Sequence, residues 1–387
     1  MSETKIISMY AYVDGKFESQ VEFSNAFPRY VDNFAAKHGL NMRGQLFKLV
    51  SDDEISRKYK TFTDFAPVTQ HTIIQSDAIF DRAGTMVKMM GGIEDLAISS
   101  GTQVFNYPIS LDEGKWRDYV IASDLGYSVP LTWILPQAEF VKVIGSSNSD
   151  GYGKLQFDLQ EVVNSVGGFP CFFKKAHGGG KVDVYKINDM GELLTFYLRS
   201  HGKLMMLQQY IPYVQFIRTF VLGDKALHCD YNMDLPDGTK YTWPRGLSEK
   251  DRVYLDKATI ELSKSLQTPF CTMESAQDEQ GNWYFIDITN GCNFDMRACE
   301  LSGVYEHVAS TLIQSLVEWT VQPRPIHVLG TQRQAVILAR QLARAGLKEQ
   351  DPELLVRFAR ENDIDLNSDS ARKEQESFLR RYEYGRL

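Results

Sequence analysis

The chain reads as an α/β (α+β) protein, and three features carry that reading. Strand-like and helix-like patterns alternate through the first hundred residues, the arrangement a small parallel sheet requires. A lysine-bearing apolar strand, F-P-C-F-F-K-K, runs directly into a glycine-rich segment, A-H-G-G-G-K-V-D-V. Two carboxylates, Glu274 and Asp287, sit on separate strand-like segments joined by the polar turn Q-D-E-Q-G-N. With 387 residues, 43% hydrophobic and 12% aromatic, the chain has material for more than one core.

In order, K-I-I-S-M-Y-A-Y-V over 5–13 is β-branched and aromatic and reads as the first strand. Helical spacing covers 26–38 and stops at Gly39. Strands are expected over 45–50, over 71–80 and at T-Q-V-F-N, with a helix near 94–99. A helix is expected over 110–125, because Ser110 and Glu113 form a capping-box pair. A strand at 129–135, a loop at 145–153 and a helix over 159–166 lead to the lysine strand. V-D-V-Y-K-I after the glycines reads as a returning strand; 191–201 reads as a helix and 205–210 as a strand. A strand Q-F-I-R-T-F-V-L-G-D follows, and a helix over 248–266 is capped by Ser248. Beyond Pro325 the segments 332–345, 353–362 and 371–386 are charged and amphipathic, as in a helical appendage that docks or binds a partner.

The formal net charge of -8 excludes a broad electrostatic footprint for nucleic acid or anionic lipid, though not one basic cleft. The five cysteines include no C-x-x-C pair and no zinc-like histidine partners, which suits reduced buried thiols. The first residues lack the apolar core of a signal peptide, and no apolar run is long enough to span a bilayer. The expectation is a cytoplasmic protein without membrane or nucleic-acid partners; a homodimer is compatible with it.

Lys174 and Lys175 are neighbours in a strand, so one faces a cleft and the other solvent. A lysine beside free backbone N–H groups suits a triphosphate; read alone, H-G-G-G is equally a plain hairpin turn. The loop matches neither a P-loop nor a dinucleotide fingerprint. L-Q-Q-Y-I-P is either an edge strand ended by Pro212 or a segment that reads adenine with its backbone, Leu207 and Ile211 sandwiching the base. Glu274 and Asp287 are either salt-bridged acids or paired hard ligands for Mg²⁺, and their apolar flanks favour the metal. Arg218, in an apolar strand, pairs with an acid or points at phosphate, and Arg245 in Y-T-W-P-R-G can clamp a carboxylate or phosphate.

In this order and spacing the set resembles the ATP-grasp superfamily over roughly residues 75–320, as in D-alanine–D-alanine ligase, glutathione synthetase and the glutamate ligases. The resemblance implies an N-terminal parallel α/β pre-grasp domain (1–108) and an ATP-grasp domain (109–322). That domain divides into a smaller lobe with the phosphate loop (109–208) and a metal-binding lobe (209–322), followed by a helical extension (323–387). It implies that Lys115 and Lys174 bind phosphate, and that His177, Gly178, Gly179 and Gly180 form the flexible phosphate loop. Gln208, Gln209, Tyr210 and Ile211 then form the adenine hinge, and Gln215 takes the place of a ribose-binding acid. Glu274 and Asp287, with Asn290, are implied metal ligands. Thr289 stands where the family has asparagine, and Thr272 where an arginine often precedes the first metal carboxylate.

The implied activity is an ATP- and Mg²⁺-dependent ligase. ATP phosphorylates a small-molecule or peptide carboxylate, and an amine attacks the acylphosphate, with Arg218 or Arg245 steadying it. Arg82 binds the substrate carboxylate or makes a structural salt bridge. A small-molecule kinase and a non-catalytic nucleotide binder on the same scaffold are the competing readings, the second motivated by Thr289 and Gln209.

Overall fold

The computed structural model describes residues 4–13, 18–50, 76–82, 102–106, 114–143, 156–177, 183–232, 234–244, 246–266, 268–289, 299 and 302–322. Three sheets organise them. The first is parallel, in the order β2-β1-β3-β4, from β1 (Lys5–Val13), β2 (Met42–Val50), β3 (Ala78–Arg82) and β4 (Gln103–Phe105). Helix α1 (Glu18–Lys37) connects β1 to β2 and gives way to Gly39 at φ 66, a conformation open to glycine. The helix starts earlier than its apolar spacing suggests.

Helix α2 (Lys115–Asp124) begins five residues after the expected Ser110. Gly114 holds its N-cap at φ 80, without a side-chain cap bond. A Cβ on Gly114 would lie 2.9 Å from both the Ala176 carbonyl and the His177 ring, so only glycine lets the helix start against that strand. Ser110 lies outside the described residues, as do the segments expected at 94–99 and 145–153 and the appendage beyond 322.

The second sheet, order β5-β10-β8-β9, is antiparallel: β5 (Thr132–Leu135), β8 (Cys171–Lys175), β9 (Val184–Ile187) and β10 (Met205–Gln209). A short parallel pair, β6 (Lys142–Val143) with β7 (Gln156–Phe157), lies between β5 and β8 in the chain. Helices α3 (Leu159–Ser165) and α4 (Met190–Arg199) are capped by Asp158 and Asp189, whose carboxylates accept first-turn N–H groups. They cover one face, where Phe173, Leu207, Tyr197 and Val163 share a core. The lysine strand and the returning strand pair antiparallel, as expected.

The third sheet, order β13-β12-β11-β14-β15, is antiparallel. It contains β11 (Gln215–Leu222), β12 (Lys225–Tyr231), β13 (Tyr241–Thr242), β14 (Phe270–Gln277) and β15 (Trp283–Thr289). Helix α5 (Glu249–Ser265) starts at Ser248, whose hydroxyl accepts from the Asp251 N–H. With α2 it packs on the odd-numbered side of β11, where Ile217 and Val221 meet Leu255, Leu262 and Ile121. The other side, through Phe220, Leu222 and Phe270, joins Ile7, Phe80, Phe105 and α6 (Tyr305–Val321) in one cluster with Trp319. The boundary expected at 108 therefore does not separate two cores. Strand β12 and helix α6 are elements the sequence reading did not anticipate. Helix α6 carries Val308, Ala309, Leu312, Ile313, Leu316 and Val317 at helical spacing, a signal that the sequence reading overlooked.

Candidate active site

Strand register brings the charged residues together. Arg218 of β11 stands opposite Glu274 of β14, and Glu274 opposite Asp287 of β15. Apolar periodicity alone misplaces Asp287. Trp283 and Phe285 face the α5 core, and strict alternation would send the next odd residue there too. The register instead shifts between Glu274 and Ser275, leaving Ile286 as an extra residue on β15. That bulge turns Asp287 to the side of Glu274, the re-aiming that bulges beside sites produce.

Three cations meet the two acids. Lys115, at the start of α2, binds both Asp287 oxygens at 2.7 Å. An Arg218 nitrogen is 3.3 Å from Glu274 Oε1, a second donates to Thr272 Oγ1 at 3.1 Å, and the guanidinium lies over the Tyr231 ring. Lys174 faces the same region from the second sheet and donates to the Tyr119 hydroxyl at 2.8 Å. Burial pushes the Lys174 ammonium below the usual lysine range, against the pull of Asp287 and Glu274. Burial pushes the Glu274 carboxyl up despite Arg218. Burial also favours the neutral form of Asp287, but Lys115 and Lys174 outweigh it and hold this carboxyl low. Three basic side chains against two acids make the site suit an anion.

The two carboxylates fit a hard divalent cation. They are side by side, acceptor-only when ionised, and Glu274 is buried with its charged form under-compensated. Among the described residues no cluster of three His, Cys, Asp or Glu side chains occurs. Asn290, the third expected ligand, lies outside the described residues, as do Gly178, Gly179, Gly180 and Arg245. Arg82 ends β3, with its side chain likewise outside them.

Other expected residues fall where strand parity puts them. Gln208 is buried on the Lys174 side and donates to Thr132 Oγ1 at 2.8 Å. Gln209 is committed to Leu131: its N–H donates to that carbonyl at 2.8 Å and its side-chain oxygen accepts from that N–H. Leu207 cannot sandwich a base, because it points into the core with Phe173. The aromatic surface at the hinge is instead Tyr210, with Phe172 at 5.9 Å and the Lys186 ammonium 4.1 Å from the Tyr210 ring centre. Ile211 is buried beside it in sequence, and His177 is exposed at the start of the glycine segment. Gln215, expected in the place of a ribose-binding acid, shares the face of Ile217 and donates to Asp230 at 3.0 Å. Tyr119 was missed by the sequence reading, although it follows Lys115 by four residues and so shares its helix face.

This sheet arrangement is the ATP-grasp fold. No family model matches the chain. A stretch of 148 residues is 24% identical to the D-alanine–D-alanine ligase of Psychrobacter sp. (strain PRwf-1), covering 34% of this chain and 44% of that protein. The chain thus spans less than half the length of the curated relatives it matches. Among solved structures, the VanG D-Ala:D-Ser ligase from Enterococcus faecalis superposes with TM-score 0.56 at 14% identity, over 82% of this chain and all of that one. The D-alanine–D-alanine ligase from Bacillus anthracis complexed with ATP gives 0.52 at 13% identity, over 82% and 98%.

Proposed function

We propose that this chain is an ATP- and Mg²⁺-dependent ligase that activates a carboxylate as an acylphosphate for attack by an amine. The observation that carries the proposal is the convergence of Lys115, Lys174 and Arg218 on the adjacent carboxylates Glu274 and Asp287. The similarity to ligases, one of them crystallised with ATP, supports it.

In this reading Lys115 and Lys174 hold the phosphates, and the loop of His177, Gly178, Gly179 and Gly180 closes over them. Tyr210, Phe172 and Ile211 flank the base, and Gln208 lines the slot. Glu274 and Asp287, with Asn290, hold Mg²⁺, which offsets the charge on the phosphates. The carboxylate oxygen of the first substrate takes the terminal phosphoryl group, and ADP leaves. The amine nitrogen then bonds to the acyl carbon, loses a proton, and inorganic phosphate departs. Arg218 and Arg245 offset the negative charge that develops at the acyl centre, and Arg82 binds the substrate carboxylate. The segments are 1–108, 109–322 and 323–387, the first two sharing one core, with α2 grouped with the metal-binding lobe because Ile121 packs there. Within the described residues no helix is long and apolar enough to cross a membrane; the substrates are small-molecule or peptide carboxylates and amines, and the working location is the cytoplasm.

The deciding experiment supplies Mg-ATP with panels of carboxylates and amines and follows ADP and phosphate. Release of both only when a carboxylate and an amine are present supports a ligase. Stable transfer of phosphate to one hydroxyl substrate makes the protein a kinase, and ATP binding without turnover makes it a binder.

A further inference from the structure

Tyr119 is not used by the chemistry above, yet it touches Lys174 and the residue before Asp287. It projects from α2, which docks on the third sheet, while its ring packs on Ala176 and Met206 of the second. Its hydroxyl accepts from Lys174 Nζ at 2.8 Å and donates to the Ile286 carbonyl at 2.6 Å. Ile286 is the residue the β14–β15 register leaves over, and Asp287 follows it. One turn earlier on the same helix, Lys115 holds Asp287. The Lys174 ammonium also sits 5.3 Å from the Tyr119 ring centre.

We infer that Tyr119 is a positioning residue that ties the phosphate-binding ammonium of Lys174 to the bulge that aims Asp287, so that one hydroxyl sets the distance between the phosphate cation and the metal carboxylate. This rests on the nucleotide reading of the site. The chemistry suits the role. A buried ammonium needs an acceptor, and a bulge carbonyl needs a donor; a phenol supplies both. Burial, with Asp287 nearby, keeps the phenol protonated well past the ordinary tyrosine range, so its donor is present throughout the working pH range. An apolar residue would leave both groups unpaired, and a second lysine would put a like charge beside Lys174.

The test is calorimetric titration of the full chain with Mg-ATP. Tyr119→Phe removes one oxygen and leaves the ring packing in place. We expect it to bind Mg-ATP at least about tenfold more weakly, the scale of a lost charge-assisted hydrogen bond. Tyr197→Phe is the control, since it deletes another buried hydroxyl, bonded to the Pro136 carbonyl in the second sheet's core. Its affinity should stay within about twofold of wild type. Tyr119→Phe affinity within that same margin overturns the inference while leaving the nucleotide reading intact. Absence of Mg-ATP binding by wild type overturns the nucleotide reading itself and the role drawn from it. Should Tyr119→Phe fail to fold, Tyr119→Phe/Lys174→Met is compared with it. Recovery of a cooperative melt supports the link, because removing both partners is tolerated better than removing one. A double variant that is equally unfolded overturns it.

Discussion

Lys174 illustrates how single residues acquire a role. Its amine is buried beside a phenol and near two carboxylates; burial lowers its proton affinity, although the carboxylates pull the other way. Lys174→Ala should abolish the rise in melting temperature that Mg-ATP produces in wild type; a shift of wild-type size would remove the phosphate role. Asp183 gives a prediction about pH. It pairs with Lys175 at 2.7 Å and Lys203 at 3.0 Å, and these cations hold its carboxyl down to about 2 from 3.8. The folded-state value lies below the unfolded one, so this anchor of the β8–β9 hairpin is complete above pH 3.8 and lost as pH falls towards 2. Acid unfolding of Asp183→Asn should lack that component, and a titration coincident with wild type would dismiss it. The lysine pair K-K was readable as one cleft-facing and one outward residue because strand alternation is a local rule.

At the scale of elements, the starts of two helices are sensitive points. Ser248→Ala removes the acceptor for the Asp251 N–H and should lower stability by about 1 kcal/mol in denaturant unfolding, without a change in slope. Gly114 meets a harder limit, since φ 80 is disfavoured for other residues and a Cβ would press on the Ala176 carbonyl. Gly114→Ala should cost at least about 1 kcal/mol and, on the proposed nucleotide reading, weaken Mg-ATP binding as well, because the same contact joins α2 to Ala176 and His177. Unchanged melting and affinity would show that the junction tolerates displacement. Most elements were legible: caps, glycine stops and β-branched runs are written locally. Helix α6 and strand β12 were overlooked, although the apolar residues of α6 recur at helical spacing. The apolar surface of α6 is explained by neighbours distant in sequence, including Phe23 and Phe220.

At the scale of the molecule, the first and third sheets share a core. Phe270 lies 5.6 Å from Phe80, 5.1 Å from Phe105 and 5.8 Å from Trp319, ring centre to ring centre. Phe270→Ala should therefore cost about 3–5 kcal/mol and lower the stability of both sheets together. Hydrogen exchange that weakens only the third sheet would make them independent units instead. Residues 1–108 were expected to form their own domain because alternating strands and helices were visible, while the packing of Phe80 against Phe270 was not.

The order of the parts belongs to the primary structure: lysine strand, glycine loop, hinge, and two acids on consecutive strands. Each is defined by neighbours within a few residues, which suffices to name the elements and the chemistry they favour. The aim of those parts is tertiary. Asp287 reaches Glu274 only because one residue bulges out of β15, Leu207 is lost to the core while Phe172 lies beside Tyr210, and Gln215 is turned to Asp230. Which face of a strand meets a cleft depends on what packs against the other face, and that partner is supplied by distant segments of the chain.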